Sequence, residues 1–125
     1  MLRRCGYRTF SAYPQPGAFL NARGFQTSAG IERFLQAQDI GSRDRNTDDF
    51  YYDFAIRTFT WERTNGPVFY FLYTVANHFP WNFTFRPELT PGWKGFGNRF
   101  DVDEFLRRQT MSARYYAEFL AKLRS

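Results

Sequence analysis

The chain of 125 residues contains a single cysteine, Cys5, and a single histidine, His78. One cysteine excludes an internal disulfide and any zinc site built from cysteines. One histidine, together with acids that mostly lie at predicted helix starts, leaves few ligands for a divalent-metal centre. The longest apolar run, residues 68–76, has about nine residues, whereas a membrane-spanning helix needs about 20. The sequence therefore predicts neither a transmembrane segment nor a metal site within these residues.

Motifs for covalent catalysis, phosphate binding and nucleic-acid recognition are also missing. The chain has no Gly-x-Ser-x-Gly nucleophile elbow and no glycine-rich phosphate loop. Its net charge is +5, but the basic residues are spread along the chain without an RNP, zinc-finger or helix-turn-helix pattern. We therefore predict no catalytic nucleophile in the chain and no nucleic acid among its partners.

Aromatic residues, by contrast, are abundant. They make up 22% of the chain, and phenylalanine alone accounts for 16 residues. Such large side chains need a deep interior, and a chain of this length has little interior to offer. The length itself predicts one domain or part of one. The excess of aromatic residues over the available interior favours part of a larger domain.

The first residues allow two interpretations. Arginines mixed with Ser and Thr, with no acid before Glu32, are typical of a mitochondrial transit peptide. Alternatively, residues 2–6 end a helix with Gly6 as the residue after its last turn, and residues 7–13 form a strand. Aromatic and β-branched residues dominate this second piece, which favours the strand over a transit helix.

Two helices are predicted between the first strand and residue 66. Residues 19–27 are expected to be irregular, and Thr27 or Ser28 to cap a short helix. The apolar face of that helix consists of Ile31, Phe34 and Leu35. After a polar loop, Thr47 or Asp48 is expected to open the second helix. Both helices would pack on the sheet that contains the first strand.

The segment from Pro67 to Pro80 is the strongest strand signal. Its apolar run is bounded by glycine and proline, which predicts a strand buried on both faces, as in parallel sheets. The run ends in Thr74, Asn77 and His78. Ligands of open α/β sheets bind beyond the carboxyl ends of the strands. These three polar residues are therefore the candidate binding residues.

The last third of the chain predicts a long loop and a long helix. Residues 79–100 contain several glycine and proline breaks and three tryptophans, which is typical of an ordered loop held by its aromatics. Asp101 is expected to cap the helix, with Glu104 three residues later. Its predicted apolar face contains Val102, Phe105, Leu106, Ala113, Tyr116, Phe119, Leu120 and Leu123. The basic residues expected to face water are Arg107, Arg108, Arg114 and Lys122. The predicted fold is α/β, with at least two parallel-type strands, three helices and a long aromatic loop.

Residues 74–80 strongly resemble the Thr-x-x-Asn-His-x-Pro motif of the lipoteichoic acid synthase-like branch of the sulfatase and alkaline phosphatase superfamily. The resemblance continues in segments on both sides of the motif: residues 5–14, 19–23, 30–34 and 103–109. It covers nearly the whole chain, and the Asn-His-x-Pro element is its most specific part.

This resemblance implies an α/β sandwich, here a partial one, from an enzyme that cleaves or transfers sulfate or phosphate esters. Such enzymes use a divalent cation such as Mn²⁺, Mg²⁺ or Ca²⁺ and face the outside of the cytoplasmic membrane. It also implies that His78 contacts the phosphate or sulfate group of the substrate, with Thr74 and Asn77 beside it.

The resemblance also implies what the chain lacks. In the family, the nucleophile and first metal ligand lie upstream of the matched region, and an Asp-His metal pair lies downstream of it. Residues 1–125 are therefore expected to be an internal portion of one catalytic domain, with no metal of its own and no activity alone. The alternative is a small non-enzymatic protein, organelle-imported or not, that binds a partner through exposed aromatic residues.

Overall fold

Three parallel strands form the sheet at the centre of the protein. The computed structural model describes residues 2–97 and 99–125. Within these residues the strands are β1 (Arg8–Ala12), β2 (Arg33–Leu35) and β3 (Val68–Leu72), arranged in the order β2-β1-β3. Phe10 of β1 lies opposite Arg33 of β2 and Tyr70 of β3. The predicted α/β architecture with parallel strands is therefore confirmed.

The described part of the chain contains four α-helices. They are α1 (Ala22–Ser28), α2 (Ala37–Ile40), α3 (Asp48–Glu62) and α4 (Phe100–Arg124). The predicted start of α3 is correct, because Thr47 has an extended backbone and helical geometry begins at Asp48. Residues 79–97, which we call the aromatic loop, contain one short 3-10 turn at Pro87–Leu89 and otherwise no regular structure. This segment agrees with the predicted ordered loop.

The central strand has two buried faces. Phe10 and Ala12 are each 1% exposed, and Ala12 packs with Ile40 and Tyr51 beneath α2 and α3. On the opposite face Thr9 and Ser11 are also buried. The Thr9 hydroxyl donates to the carbonyl oxygen of Gly30 at 2.7 Å, so its polar group is satisfied inside the protein.

The region before β2 differs from the prediction. A helix, α1, replaces the expected irregular segment, and the expected helix containing Phe34 is an extended strand. Two tertiary interactions explain the strand: Phe34 is buried against the Tyr13 ring, and β2 pairs with β1 in parallel register. The Glu32 carboxylate also accepts from the backbone amide of Thr9 at 3.0 Å. Pairing with a distant strand therefore outweighs the local helical spacing.

Burial of β3 on both faces was also predicted, and this is wrong. Tyr70 and Leu72 pack towards the core, but Phe69 and Phe71 are 37% and 43% exposed. Among the described residues β3 pairs with β1 alone and forms an edge of the sheet. Within the described residues no strand pairs with the outer side of β3, and alternate side chains of its apolar run reach solvent.

Helix α4 shows the largest difference from the sequence pattern. It begins at Phe100 after Arg99, so Asp101 is not its cap. Several residues of the predicted apolar face are exposed, including Val102 at 42% and Tyr116 at 50%. The buried positions on this helix are instead Glu104, Arg107, Arg108, Met111 and Tyr115. The aromatic loop lies over this side of α4 and presents backbone carbonyls to it, so the charged residues there have buried partners.

Candidate functional site

A cavity of about 990 Å³ opens at the carboxyl ends of β1 and β3. Tyr13 follows β1 and Tyr73 follows β3, and their rings meet edge-on at 5.2 Å between centroids. The polar loop 42–46, between α2 and α3, forms another part of the wall. The cavity therefore lies at the edge of the sheet where open α/β folds bind their ligands.

Thr74 and His78 both line this cavity. The backbone amide of His78 donates to the carbonyl oxygen of Val75 at 2.9 Å, which closes a turn directly after β3. His78 is exposed, and its ring stacks on that of Phe79 with 4.4 Å between centroids. Its Nδ1 donates to the Phe79 carbonyl oxygen at 2.7 Å. A proton held at Nδ1 leaves Nε2 as the nitrogen through which the ring can meet a ligand.

Asn77 has a different environment from its two predicted companions. Its side-chain amide donates to the Oε1 atom of Gln109 on α4, and it does not line the cavity. Its backbone carbonyl accepts from the indole nitrogen of Trp81 at 3.1 Å. Asn77 thus fastens the turn to α4 and to the aromatic loop, whereas Thr74 and His78 face the cavity.

Two arginines that the sequence pattern did not single out also line the cavity. Arg43 and Arg45 are exposed on the polar loop, with Asp44 between them. The loop is connected to α3 by a hydrogen bond between the hydroxyls of Ser42 and Tyr51, which lie 2.8 Å apart. Burial raises the pKa of the Tyr51 phenol, so it remains a neutral hydrogen-bonding group at neutral pH. Exposed guanidinium groups that line the same cavity as an imidazole suit an anionic ligand.

Behind the cavity lies a buried ionic cluster of Glu104, Arg107 and Arg108, which we call the Glu104 cluster. The three side chains are 2–4% exposed. Oε1 of Glu104 accepts from Nη2 of Arg107 at 2.9 Å and from Nε of Arg108 at 2.7 Å. The same oxygen accepts from the backbone amide of Phe85 at 2.9 Å. One carboxylate therefore pairs two buried guanidinium groups and holds the aromatic loop.

The two arginines of the cluster bind different parts of the loop. Arg108 donates to the carbonyl oxygens of His78, Pro80 and Phe83 at 3.1, 3.2 and 3.0 Å. Arg107 donates instead to the Thr90 hydroxyl at 2.6 Å and to the Phe85 carbonyl. Arg108 is therefore the link between α4 and the residue that carries the imidazole.

Stability at acid pH follows from the environment of Glu104. Burial alone raises the pKa of this carboxyl, but hydrogen bonds from Arg107 and Arg108 and from the Phe85 amide outweigh it, so its pKa is lowered from 4.5. A carboxyl with a depressed folded pKa stabilises the protein above its unfolded pKa and loses that contribution as the pH falls through the folded value. We expect the free energy of unfolding in urea to fall below about pH 4.5.

The variant Glu104→Gln tests whether Glu104 causes this loss of stability at acid pH, because its side-chain amide cannot titrate. Its free energy of unfolding is expected to vary less between about pH 6 and pH 3 than that of the wild type. The control is Glu118→Gln, because Glu118 is exposed and lies 3.8 Å from Arg114; this variant should keep the wild-type pH dependence. If Glu104→Gln had the wild-type pH dependence, other carboxyl groups would be responsible for the loss of stability at acid pH.

The positions of the arginines in the sequence contained a signal for the cluster. Glu104, Arg107 and Arg108 have the i, i+3 and i, i+4 spacing of ion pairs on one helix face. That spacing is also typical of ion pairs on exposed helix faces, so it does not predict burial. Their burial depends on the aromatic loop, whose path over α4 the sequence pattern did not reveal.

The described residues do not fit a divalent-metal site. Within 2–97 and 99–125, no three His, Cys, Asp or Glu side chains lie close enough together to hold an ion. The cavity lining includes a single carboxylate, Asp44, beside its imidazole and arginines, whereas such an ion requires several oxygen ligands. None of the helices in the described ranges is both long and apolar enough to span a membrane.

Comparisons with known proteins support the fold. No protein-family model matches the chain, and no curated protein matches it. The structure is similar to the crystal structure of the lipoteichoic acid synthase LtaP from Listeria monocytogenes, with a TM-score of 0.84 and 18% sequence identity. The superposition covers 98% of this chain and 31% of LtaP, so the chain spans less than a third of its length. The resemblance drawn from residues 74–80 is thereby confirmed for the fold: this chain has a partial alkaline-phosphatase-like fold of the kind found in a lipoteichoic acid synthase.

Proposed function

We propose that this chain forms one wall of the substrate cleft of a sulfatase-like hydrolase or phosphotransferase that acts on phosphate or sulfate esters. The observation that carries the proposal is the cavity at the carboxyl edge of the sheet, which His78, Arg43 and Arg45 all line. The fold shared with LtaP gives the reaction class its support, since that protein is a lipoteichoic acid synthase. On this proposal the cavity takes the tetrahedral anionic group of the ester.

The chemistry of the lining residues fits such a group. With its Nδ1 proton directed at the Phe79 carbonyl, His78 would present Nε2 to an ester oxygen and donate to it when the ring is protonated. The Thr74 hydroxyl supplies a neutral donor at the same edge. Arg43 and Arg45, on the polar loop that lines the same cavity, would offset the negative charge. Asn77 contributes to this site indirectly, through its contact with Gln109.

We further propose that residues 1–125 act as an internal portion of one catalytic domain, which the 31% coverage of LtaP supports. The nucleophile and the divalent cation would then come from other parts of that domain. A catalytic domain of this class faces the outside of the cytoplasmic membrane. The chain by itself is expected to bind an anion without turning over an ester in the presence of Mn²⁺, Mg²⁺ or Ca²⁺. Turnover that disappears in His78→Ala would overturn the expectation of inactivity.

Anion binding can be measured directly on the 125-residue chain. Replacing His78 by alanine is expected to weaken the binding of inorganic phosphate by about tenfold, because it removes a hydrogen bond to a charged group worth roughly 1.5 kcal/mol or more. The free energy of unfolding should stay within about 0.5 kcal/mol of the wild type, since the side chain is exposed. Backbone amide shifts during phosphate and sulfate titrations report the affinity.

The matched control for this titration is Arg57→Ala. Arg57 is an exposed cation on α3 and does not line the cavity. Its removal lowers the net charge of the protein by one without touching the proposed site. If Arg57→Ala and His78→Ala weakened phosphate binding equally, the effect would be non-specific and the proposed site would be wrong. Unchanged phosphate affinity in His78→Ala would lead to the same conclusion.

A further inference from the structure

We propose that Arg108 is a positioning residue that fixes His78 at the cavity by holding the backbone on both sides of the Phe79 ring. The proposal rests on the proposed function for its ligand, but its geometry is independent of it. Arg108 is 2% exposed and donates four hydrogen bonds, one to Glu104 and three to backbone carbonyl oxygens. Arg108 thus binds the backbone at His78 and at two residues that follow it.

Of the three carbonyls held by Arg108, one belongs to His78 and two belong to the start of the aromatic loop. Nη1 binds the His78 carbonyl, and Nη2 binds those of Pro80 and Phe83. All three residues line the cavity, and Phe79, whose ring stacks on His78, lies between the first two in the sequence. Fixing the backbone on either side of Phe79 fixes the surface on which the imidazole rests.

Only an arginine can make this set of contacts. A guanidinium carries five N–H donors in one plane, and here Nε, Nη1 and Nη2 all have partners. A lysine ammonium is a compact donor on a flexible stem and cannot span the Glu104 carboxylate and three separated carbonyls. The guanidinium also lies over the Phe83 and Phe85 rings, at 4.7 and 5.2 Å from their centroids. Hydrogen bonds in the plane of the guanidinium and the aromatic rings against its face therefore both restrain its orientation.

The neighbouring Arg107 provides a matched comparison. It is equally buried and shares the Glu104 carboxylate, but its loop partners are Phe85 and Thr90, farther along the chain from His78. A purely structural cluster would give similar effects for both arginines. A positioning role for Arg108 predicts that His78 responds to Arg108 alone.

The experiment compares Arg108→Lys with Arg107→Lys in the full 125-residue chain. His78 is the single histidine, so its ring protons give one isolated set of NMR signals. Stacking on Phe79 should shift these signals upfield by a ring-current effect. We expect Arg108→Lys to lose this upfield shift and to bind inorganic phosphate about tenfold more weakly. Arg107→Lys should retain the wild-type shift and affinity, although both variants lose thermal stability.

Each result bears on the proposal. Equal changes of the His78 signals in both variants, or no change in Arg108→Lys, would overturn the positioning role. A wild-type His78 signal without an upfield ring-current shift would also contradict it. If the shift responds to Arg108 as expected while phosphate moves no His78 signal in the wild type, the positioning role stands and the proposed anion site fails. The ring-current shift and the phosphate titration therefore separate the two proposals.

Discussion

Replacing Glu104 by alanine is expected to lower the free energy of unfolding by about 3–5 kcal/mol, enough to unfold a marginally stable chain. Two guanidinium groups that are 4% and 2% exposed would keep their charges and lose the buried carboxylate that pairs with both of them. The Phe85 amide would lose its acceptor as well. Urea unfolding followed by circular dichroism, or the midpoint of thermal unfolding, measures the loss.

Glu118→Gln is the matched control for this prediction. Glu118 lies on the same helix and pairs with Arg114 at 3.8 Å, but both side chains are more than half exposed, at 55% and 52%. An exposed pair at this spacing contributes about 0.3–0.5 kcal/mol. Glu104→Gln, which keeps the size of the side chain and an amide oxygen acceptor, should still be strongly destabilised because the charge is lost. If Glu104→Ala and Glu118→Gln had similar effects, the two arginines would have to be solvated, and the described burial would be wrong.

Replacing Phe10 by alanine is expected to lower the free energy of unfolding by about 3–5 kcal/mol. Phe10 lies in the middle of the central strand, is 1% exposed, and stacks on the Tyr70 ring at 6.1 Å between centroids. Arg8 and Arg33 also place their guanidinium groups 5.3 Å from its ring centroid. Truncation removes the buried phenyl ring between β2 and β3 and leaves a cavity that the parallel strands cannot close. Urea unfolding compares the variant with the wild type.

Phe96→Ala is the control for the loss of a phenyl ring. Phe96 is 79% exposed in the aromatic loop, so its truncation should change the free energy of unfolding by less than about 0.5 kcal/mol. The contrast tests whether the aromatic residues of this chain form a core at β1. A small effect of Phe10→Ala, comparable to that of Phe96→Ala, would contradict the central position of the strand.

The elements predicted well from the sequence are those with strong local boundaries. Gly66 and Pro67 precede β3, and the apolar run after them is long enough to define the strand. Helix α3 begins at Asp48, where the acidic residues of its first turn follow Thr47. The placement of Thr74 and His78 at a cavity followed from the rule for parallel sheets, without knowledge of any contact.

The elements predicted incorrectly are those whose local pattern competes with a distant partner. Ile31, Phe34 and Leu35 have the spacing of a helix face, but residues 33–35 pair with β1, and Phe34 is buried against Tyr13. Arg107 and Arg108 look like solvent-facing charges, but they are buried beneath the aromatic loop. Asn77 follows the same strand as His78, and its side chain binds Gln109 on α4, a contact that the sequence did not indicate; its binding role stays a prediction. Each outcome depends on contacts between residues far apart in sequence, which a local pattern does not contain.

The sequence by itself determined the α/β class, the strand at Val68–Leu72, the long final helix and the edge at which a polar site could form. Periodicity and the glycine and proline boundaries are sufficient for these features because they act within one element. The tertiary structure alone decided that β3 is an edge strand, that the Glu104 cluster is buried, and that Arg108 holds the His78 turn. The physical reason is that burial and ion pairing are properties of the space between elements. A carboxylate shared by two arginines is stable there only when the loop that covers it is also in place.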